Sequence, residues 1–244
     1  MNEAVLNLNN LLIYSFGLLT AISFLWGSFV FYKKAQEAHF EDFQILDAIV
    51  MSAFWAFIVG RISFVILNLS VFWNHFPRIL LLTNYPGIDR WGAILGIGFG
   101  VYLSLRRIKA KLFDWLDLVS LGVLSGGTVF IAGLSLLTKN PLILVLALIY
   151  LLIYILFWSI EDKYRTFEWY RGKRTSARSG LISGFSISFL GIAYCLEKLI
   201  LKRIIAVELL WGLLLFVLGF VLVYIRSGRT VAEDIKIILK HGRN

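Results

Sequence analysis

Five ionisable residues lie within or at the ends of long apolar stretches of the sequence, where a charge is costly. They are Asp47, Arg61, Asp117, Glu197 and Glu208. A cation at membrane depth normally faces the protein interior or a wet cavity and has a partner. Because the planar guanidinium of arginine suits a phosphodiester, Arg61 is the first candidate for binding a lipid headgroup. A plain salt bridge between Arg61 and Glu197 is an equally good interpretation.

The other three residues favour structural interpretations. Asp47 and Glu208 lie near the ends of apolar stretches, so we expect interfacial positions without chemistry. Asp117 lies about one turn inside its stretch, where it could cap a helix or pair with a loop cation. A structural polar role is the preferred prediction for Asp117.

Motifs for other chemistries are absent from the sequence. It has one cysteine, Cys195, which we expect to be a small buried hydrophobe, and no Cys/His cluster for a metal. No phosphate loop, dinucleotide fingerprint or Ser-His-Asp spacing is present. The three histidines are expected in loops or the tail: His39, His75 and His241.

The composition indicates an integral membrane protein. Of the 244 residues, 59% are hydrophobic and 16% are charged, whereas soluble domains carry about a quarter charged residues. The apolar residues come in blocks rather than stripes. A net charge of +9 could suggest a nucleic-acid partner, but the cations lie between the apolar blocks. They are therefore better explained as basic loops beside membrane spans, with no nucleic acid bound.

Seven transmembrane helices in one all-α bundle are predicted from these blocks. With the N-terminus outside and the C-terminus cytoplasmic, 17 Lys and Arg residues fall on the cytoplasmic side and five outside. A membrane domain over residues 1–225 would precede a short basic tail, 226–244, that is either amphipathic or solvated. The predicted spans are 11–32, 45–72, 91–105, 113–137, 142–160, 180–200 and 207–225.

Glycines recur at helical spacing in two of these spans. Gly92, Gly96 and Gly100 are four residues apart in the third span, and the fourth span contains Gly126 and Gly127. Small residues on one face let helices approach closely in lipid, so packing is the expected role. A broken helix beside a lipid cavity is the alternative.

Several short pieces, in this order, resemble the bacterial prolipoprotein diacylglyceryl transferase family over nearly the whole chain. The most specific piece is Gly60-Arg61-Ile62 in the second span. The other pieces are Phe16-Gly17-Leu18, Trp91-Gly92-Ala93, the basic loop 106–111, Asp117, Ser179-Gly180-Leu181 and Glu197. Seven spans with an external N-terminus agree with this family.

The resemblance implies transfer of a diacylglyceryl group from phosphatidylglycerol to the lipobox cysteine thiol of a preprolipoprotein. It implies a reaction without a cofactor, at the outer leaflet of the bacterial plasma (inner) membrane. Such a reaction needs a clamp on the phosphate and activation of the thiol as a thiolate. By this resemblance Arg61 and Gly92 would bind the headgroup, Glu197 is a candidate catalytic residue, and Asp117 is a matching polar position.

Several family residues are replaced in this chain. Phe16 occupies the position of a family tyrosine, and Trp91 that of the histidine in a His-Gly-Gly motif. Ala193 occupies the position of a family arginine. Residues 126–130 stand where the family has Gly-Arg-x-Gly-Asn. Arg90, beside Trp91, is a second catalytic candidate by proximity. A degenerate paralogue that binds anionic phospholipid or lipoprotein without chemistry is the alternative. A transporter or scaffold is weaker, since no inverted repeat is evident.

Overall fold

The regular structure of the described residues is helical apart from one short antiparallel pair of strands, β1 (Ala4–Leu8) and β2 (Leu11–Tyr14). The predicted helical class is confirmed, although β2 occupies the predicted start of the first span. The computed structural model describes residues 4–8, 11–73, 79, 87–108, 111–170, 179–201 and 206–227. Its helices are α1 (Ser15–Glu37), α2 (Asp42–Leu67), α3 (Leu69–Phe72), α4 (Arg90–Ile108), α5 (Leu112–Thr138), α6 (Pro141–Tyr170), α7 (Leu181–Ile200) and α8 (Ala206–Ser227).

Five helical segments of the described chain are long and apolar enough to cross a membrane. They make this a multi-pass membrane protein, as predicted. Helices α1 and α4 complete a set of seven long helices among the described residues. The count of seven spans and the orientation of both termini stay predictions. The five segments are Asp42–Leu67, Leu112–Thr138, Pro141–Glu161, Leu181–Ile200 and Leu209–Arg226.

The predicted end of the second span is wrong. Helix α2 ends at Leu67 rather than at residue 72, because Asn68 leaves helical geometry and its side-chain amide donates to the Phe64 carbonyl at 2.8 Å. A local bond of this kind offers the backbone an alternative to the helical ladder. Helix α6 continues to Tyr170, but its membrane-crossing segment, Pro141–Glu161, agrees with the predicted span 142–160.

The chain divides into two compact units, and each is described by itself. Unit 1 contains Met1–Leu18 and Ser28–Trp115, and unit 2 contains Leu19–Gly27 and Leu116–Asn244. The prediction of a single membrane domain over residues 1–225 stays a prediction. Of the predicted tail, residues 228–244 lie outside the described residues.

In unit 1, helices α2 and α4 pack with their backbones close together. A Cβ atom on Gly100 would lie 2.6 Å from the Met51 carbonyl oxygen, and one on Gly96 would overlap the Trp55 carbonyl. Only glycine fits such an approach, so the packing role predicted for the glycines of α4 is confirmed.

In unit 2, helices α7 and α8 each have two glycines seven residues apart, and the helices meet at these glycines. This pattern was not singled out in the sequence. A Cβ on Gly191 would lie 2.5 Å from the Gly212 carbonyl oxygen, and one on Gly219 would lie 2.5 Å from that of Gly184. Side chains of α5, α6 and α7 form the apolar core of the unit. Its buried members are Leu121, Leu124, Ile131, Leu134, Ile143, Leu146, Ala147, Tyr150, Phe157, Ile182 and Ala193.

Candidate functional site

Arg61 is buried in α2, with only 5% of its surface exposed. Its Nε donates to the Ile79 carbonyl at 3.0 Å, and its Nη1 donates to the Gly87 carbonyl at 2.9 Å. The guanidinium carbon lies 5.6 Å from the ring centre of Phe64 and 5.5 Å from that of Phe72. These distances are within the range of cation–π attraction. The burial expected for a cation at membrane depth is therefore present, with main-chain oxygens and aromatic rings around it.

The residues leading into α4 lie directly against α2 beside Arg61. The Asp89 amide donates to the Gly60 carbonyl at 2.9 Å. A Cβ on Gly60 would lie 2.5 Å from the Ile88 side chain, and one on Gly87 would overlap the Phe64 ring. Gly60 and Gly87 therefore permit this contact, and the Gly87 carbonyl accepts a hydrogen bond from Arg61.

Asp89 caps the start of α4 and was missed by the sequence analysis. Its Oδ2 accepts a hydrogen bond from the Gly92 amide at 2.7 Å, which is the N-cap arrangement. An aspartate immediately before an apolar helical stretch is a signal that could have identified it. Arg90 and Trp91, which follow, are both half-buried.

Gly92, expected to bind a headgroup, is packed against α2. Its amide hydrogen bonds to Asp89, and a Cβ on it would lie 2.9 Å from the Val59 carbonyl oxygen and overlap Ser63. Arg61 and Gly92 thus belong to one contact between α2 and the start of α4. Headgroup binding by either residue stays a prediction.

Asp117 holds the start of α7 in unit 2. Its two carboxylate oxygens accept hydrogen bonds from the amides of Gly180 at 2.7 Å and Ser183 at 2.8 Å. Gly180 has a positive φ of 100°, which glycine adopts readily. A carboxylate at a helix N-terminus satisfies backbone donors and matches the helix dipole. The geometry is that of a helix cap.

Glu197 is buried in the last turn of α7, with 6% of its surface exposed. Ser183 and Glu197 lie at opposite ends of this helix, about 21 Å apart at the usual rise per residue. Asp117, which bonds to the first turn, is therefore not close to Glu197. Arg61 belongs to unit 1 and Glu197 to unit 2, so their pairing stays a prediction.

Two further polar contacts lie in unit 1. Asp47, expected to be interfacial without chemistry, links α2 to α4. It accepts a hydrogen bond from the Ser104 hydroxyl at 2.5 Å and lies 3.6 Å from Nη1 of Arg107. Lys34 is one of the 17 Lys and Arg residues expected in the cytoplasmic segments. In the structure it is fully buried, and its Nζ lies 2.9 Å from a carboxylate oxygen of Glu37.

The remaining residues singled out in the sequence are two histidines, Phe16, Glu208 and Cys195. His75, His241 and the side chains of Phe16 and Glu208 lie outside the described residues. Cys195 is half-buried, with its sulfur 3.8 Å from the Leu209 carbonyl oxygen. Within the described part of the chain, no group of three His, Cys, Asp or Glu side chains could hold a metal ion.

The chain has detectable relatives among known proteins. The family model for prolipoprotein diacylglyceryl transferase matches residues 3–133. A phosphatidylglycerol–prolipoprotein diacylglyceryl transferase from Pediococcus pentosaceus is 24% identical over 120 residues, covering 49% of this chain and 43% of that protein. The chain therefore spans less than half the length of this curated relative. Arg61, Asp89 and Gly92 lie within the family match, whereas Glu197 lies outside it.

Proposed function

Because the chain belongs to the prolipoprotein diacylglyceryl transferase family, we propose that it transfers diacylglyceryl from phosphatidylglycerol to the lipobox cysteine thiol of preprolipoproteins. The observation that carries this proposal is the family match over residues 3–133. The five apolar segments support a reaction in which both substrates are reached from the membrane. We place the protein in the bacterial plasma membrane, with seven spans and its N-terminus outside.

The proposed chemistry is a substitution at carbon. The cysteine thiolate attacks the carbon of the diacylated glycerol that is bonded to the phosphate oxygen of phosphatidylglycerol. A C–S bond forms, the C–O bond to phosphate breaks, and glycerol phosphate leaves with its negative charge. The protein has to remove the thiol proton and stabilise the leaving phosphate. No step of this substitution needs an oxidant or a reductant.

Three residues are candidates for handling the proton and the phosphate. Glu197 and Arg90 follow from the sequence, and Asp89 follows from the structure. Asp89 caps α4, and Arg90 is its first residue. The next residue is Trp91, which stands where the family has a histidine. A carboxylate at this position can accept a proton, and a neighbouring arginine can stabilise a phosphate.

Complementation tests this function in cells. The chain would be expressed in bacteria depleted of their own diacylglyceryl transferase, and a reporter lipoprotein would be followed by gel shift. The proposal expects the reporter to mature. A reporter that stays unlipidated, while the protein is present in the membrane, counts against it.

A degenerate paralogue that binds anionic lipid is the second candidate, and one observation favours it. Where the family has an arginine in the fourth span, this chain has Gly126, Gly127 and Thr128. A Cβ on Gly127 would lie 3.0 Å from the Tyr150 ring, and Thr128 donates to its own helix at Leu124. Purified protein that retains phosphatidylglycerol but transfers nothing would support this candidate.

A further inference from the structure

The guanidinium of Arg61 joins two separate points of the chain to α2. The carbonyls of Ile79 and Gly87 lie on either side of residues 80–86, and both accept hydrogen bonds from this one side chain. The planar fork of arginine presents Nε and Nη1 in a fixed relation, which matches two oxygens at once. We propose that Arg61 is a positioning residue, which clasps Ile79 and Gly87 to α2 and so fixes the start of α4.

The clasp positions the start of α4, where the proposed function places two of its candidate residues. In that respect the inference rests on the proposed function. Gly87 is two residues before Asp89, whose amide bonds to Gly60 and whose carboxylate caps Gly92. A shift of Gly87 would therefore move Asp89 and the first turn of α4. That turn contains Arg90 and Trp91, at the position of the family histidine.

The surroundings of Arg61 favour a clasp over a direct contact with an anionic headgroup. Its contacts include two neutral main-chain oxygens and the faces of Phe64 and Phe72. These groups fix the directions of the donors, and they hold the side chain where only 5% of its surface is exposed. The position of the guanidinium is therefore set by the protein itself.

Three substitutions separate the two roles of an arginine, charge and directed hydrogen bonding. Arg61→Ala removes both. Arg61→Lys keeps the charge but loses the planar fork. In Arg61→Gln the amide nitrogen occupies the place of Nε along the side chain, so a neutral donor to Ile79 remains and the donor to Gly87 is lost.

Thiol labelling measures the clasp without any need for activity. In a Cys195→Ser background, Ile79→Cys supplies a single thiol whose reaction with a maleimide-polyethylene glycol is followed by gel shift in detergent. Loss of both hydrogen bonds should speed labelling about tenfold in Arg61→Ala, and loss of one should speed it less in Arg61→Lys and Arg61→Gln, which each keep a donor. The matched control is Arg107→Ala, an exposed arginine paired with Asp47 elsewhere on α2 and α4, which should leave the rate unchanged.

Unchanged labelling in folded Arg61→Ala, judged by its gel-filtration profile and melting temperature, overturns the clasp. If that variant does not fold, folded Arg61→Gln decides, and labelling no faster than in the native protein overturns the clasp. If none of the three folds, Arg61 serves global folding and the local clasp is wrong.

Transfer activity supplies the second readout. The clasp expects Arg61→Gln, which keeps one bond without a charge, to retain more diacylglyceryl transfer than Arg61→Ala, with KM for phosphatidylglycerol close to native. If Arg61→Gln transfers no more than Arg61→Ala while Arg61→Lys stays active, or if KM rises tenfold in Arg61→Gln alone, the charge of Arg61 acts on the headgroup and the proposal is overturned. If the native protein transfers nothing, the proposed function fails while the labelling rates still decide the clasp.

Discussion

Removing the carboxylate of Asp117 should weaken the attachment of α7 by a calculable amount. Asp117→Ala leaves the amides of Gly180 and Ser183 without the acceptors they have now. An N-cap bond or an interhelical bond in a membrane protein contributes about 1 kcal/mol, so the two together contribute about 2 kcal/mol. Asp117→Asn keeps one acceptor oxygen and should lose about 1 kcal/mol.

The assay is the free energy of unfolding in mixed micelles, followed by circular dichroism as a denaturing detergent is added. Ser120→Ala is the matched control on the same helix, because among the described residues the Ser120 hydroxyl bonds only to the carbonyl of Leu116 in its own helix, at 2.7 Å. It should change stability by less than about 0.5 kcal/mol. If Asp117→Ala were no less stable than Ser120→Ala, the two bonds to α7 would not be stabilising and the capping argument would be refuted.

Three further predictions concern packing and capping in the two units. Gly100→Ala should cost about 1–3 kcal/mol because its Cβ meets the α2 backbone, whereas Gly98→Ala, which meets nothing within 4 Å, should be neutral or slightly stabilising; equal unfolding free energies would contradict this packing. Asp89→Ala should cost about 1 kcal/mol, and Asp89→Asn only a few tenths, since asparagine caps equally well; equal losses would show that the cap is not the cause. Gly191→Ala should lower the melting temperature, since its Cβ would lie 2.5 Å from the Gly212 carbonyl; an unchanged melting temperature would mean that α7 and α8 separate at no cost.

The sequence identified residues whose types are unusual for their surroundings, but not the partners of those residues. Arg61 stands out because a charge inside an apolar run is costly. Its partners include the carbonyls of Ile79 and Gly87, and every residue carries such a carbonyl. No residue type therefore marks these acceptors in the sequence.

Glycine patterns were predictable where the spacing was short. Four-residue spacing from Gly92 to Gly100 predicts a close approach on one helix face, and the structure has this approach between α2 and α4. The glycines of α7 and α8 are seven residues apart, two turns of helix, and are less conspicuous among apolar residues. Their role became clear only from the packing of the two helices.

Helix boundaries and caps depend on local bonds that composition alone does not reveal. The apolar run of the second span continues through residue 72, yet α2 ends at Leu67 because Asn68 bonds back to Phe64. The carboxylate of Asp89 was overlooked because it lies outside the apolar stretches that drew attention to charge. Its hydrogen bond to Gly92 makes it part of the site.

The central claim is the transfer reaction itself, and a purified system tests it most directly. The protein would be reconstituted in phosphatidylglycerol vesicles with a lipobox peptide, and the peptide would be analysed by mass spectrometry. The account predicts a mass gain equal to one diacylglyceryl group on the cysteine, together with release of glycerol phosphate. An unmodified peptide, with the reconstituted protein folded and a known family enzyme active in parallel, would contradict it.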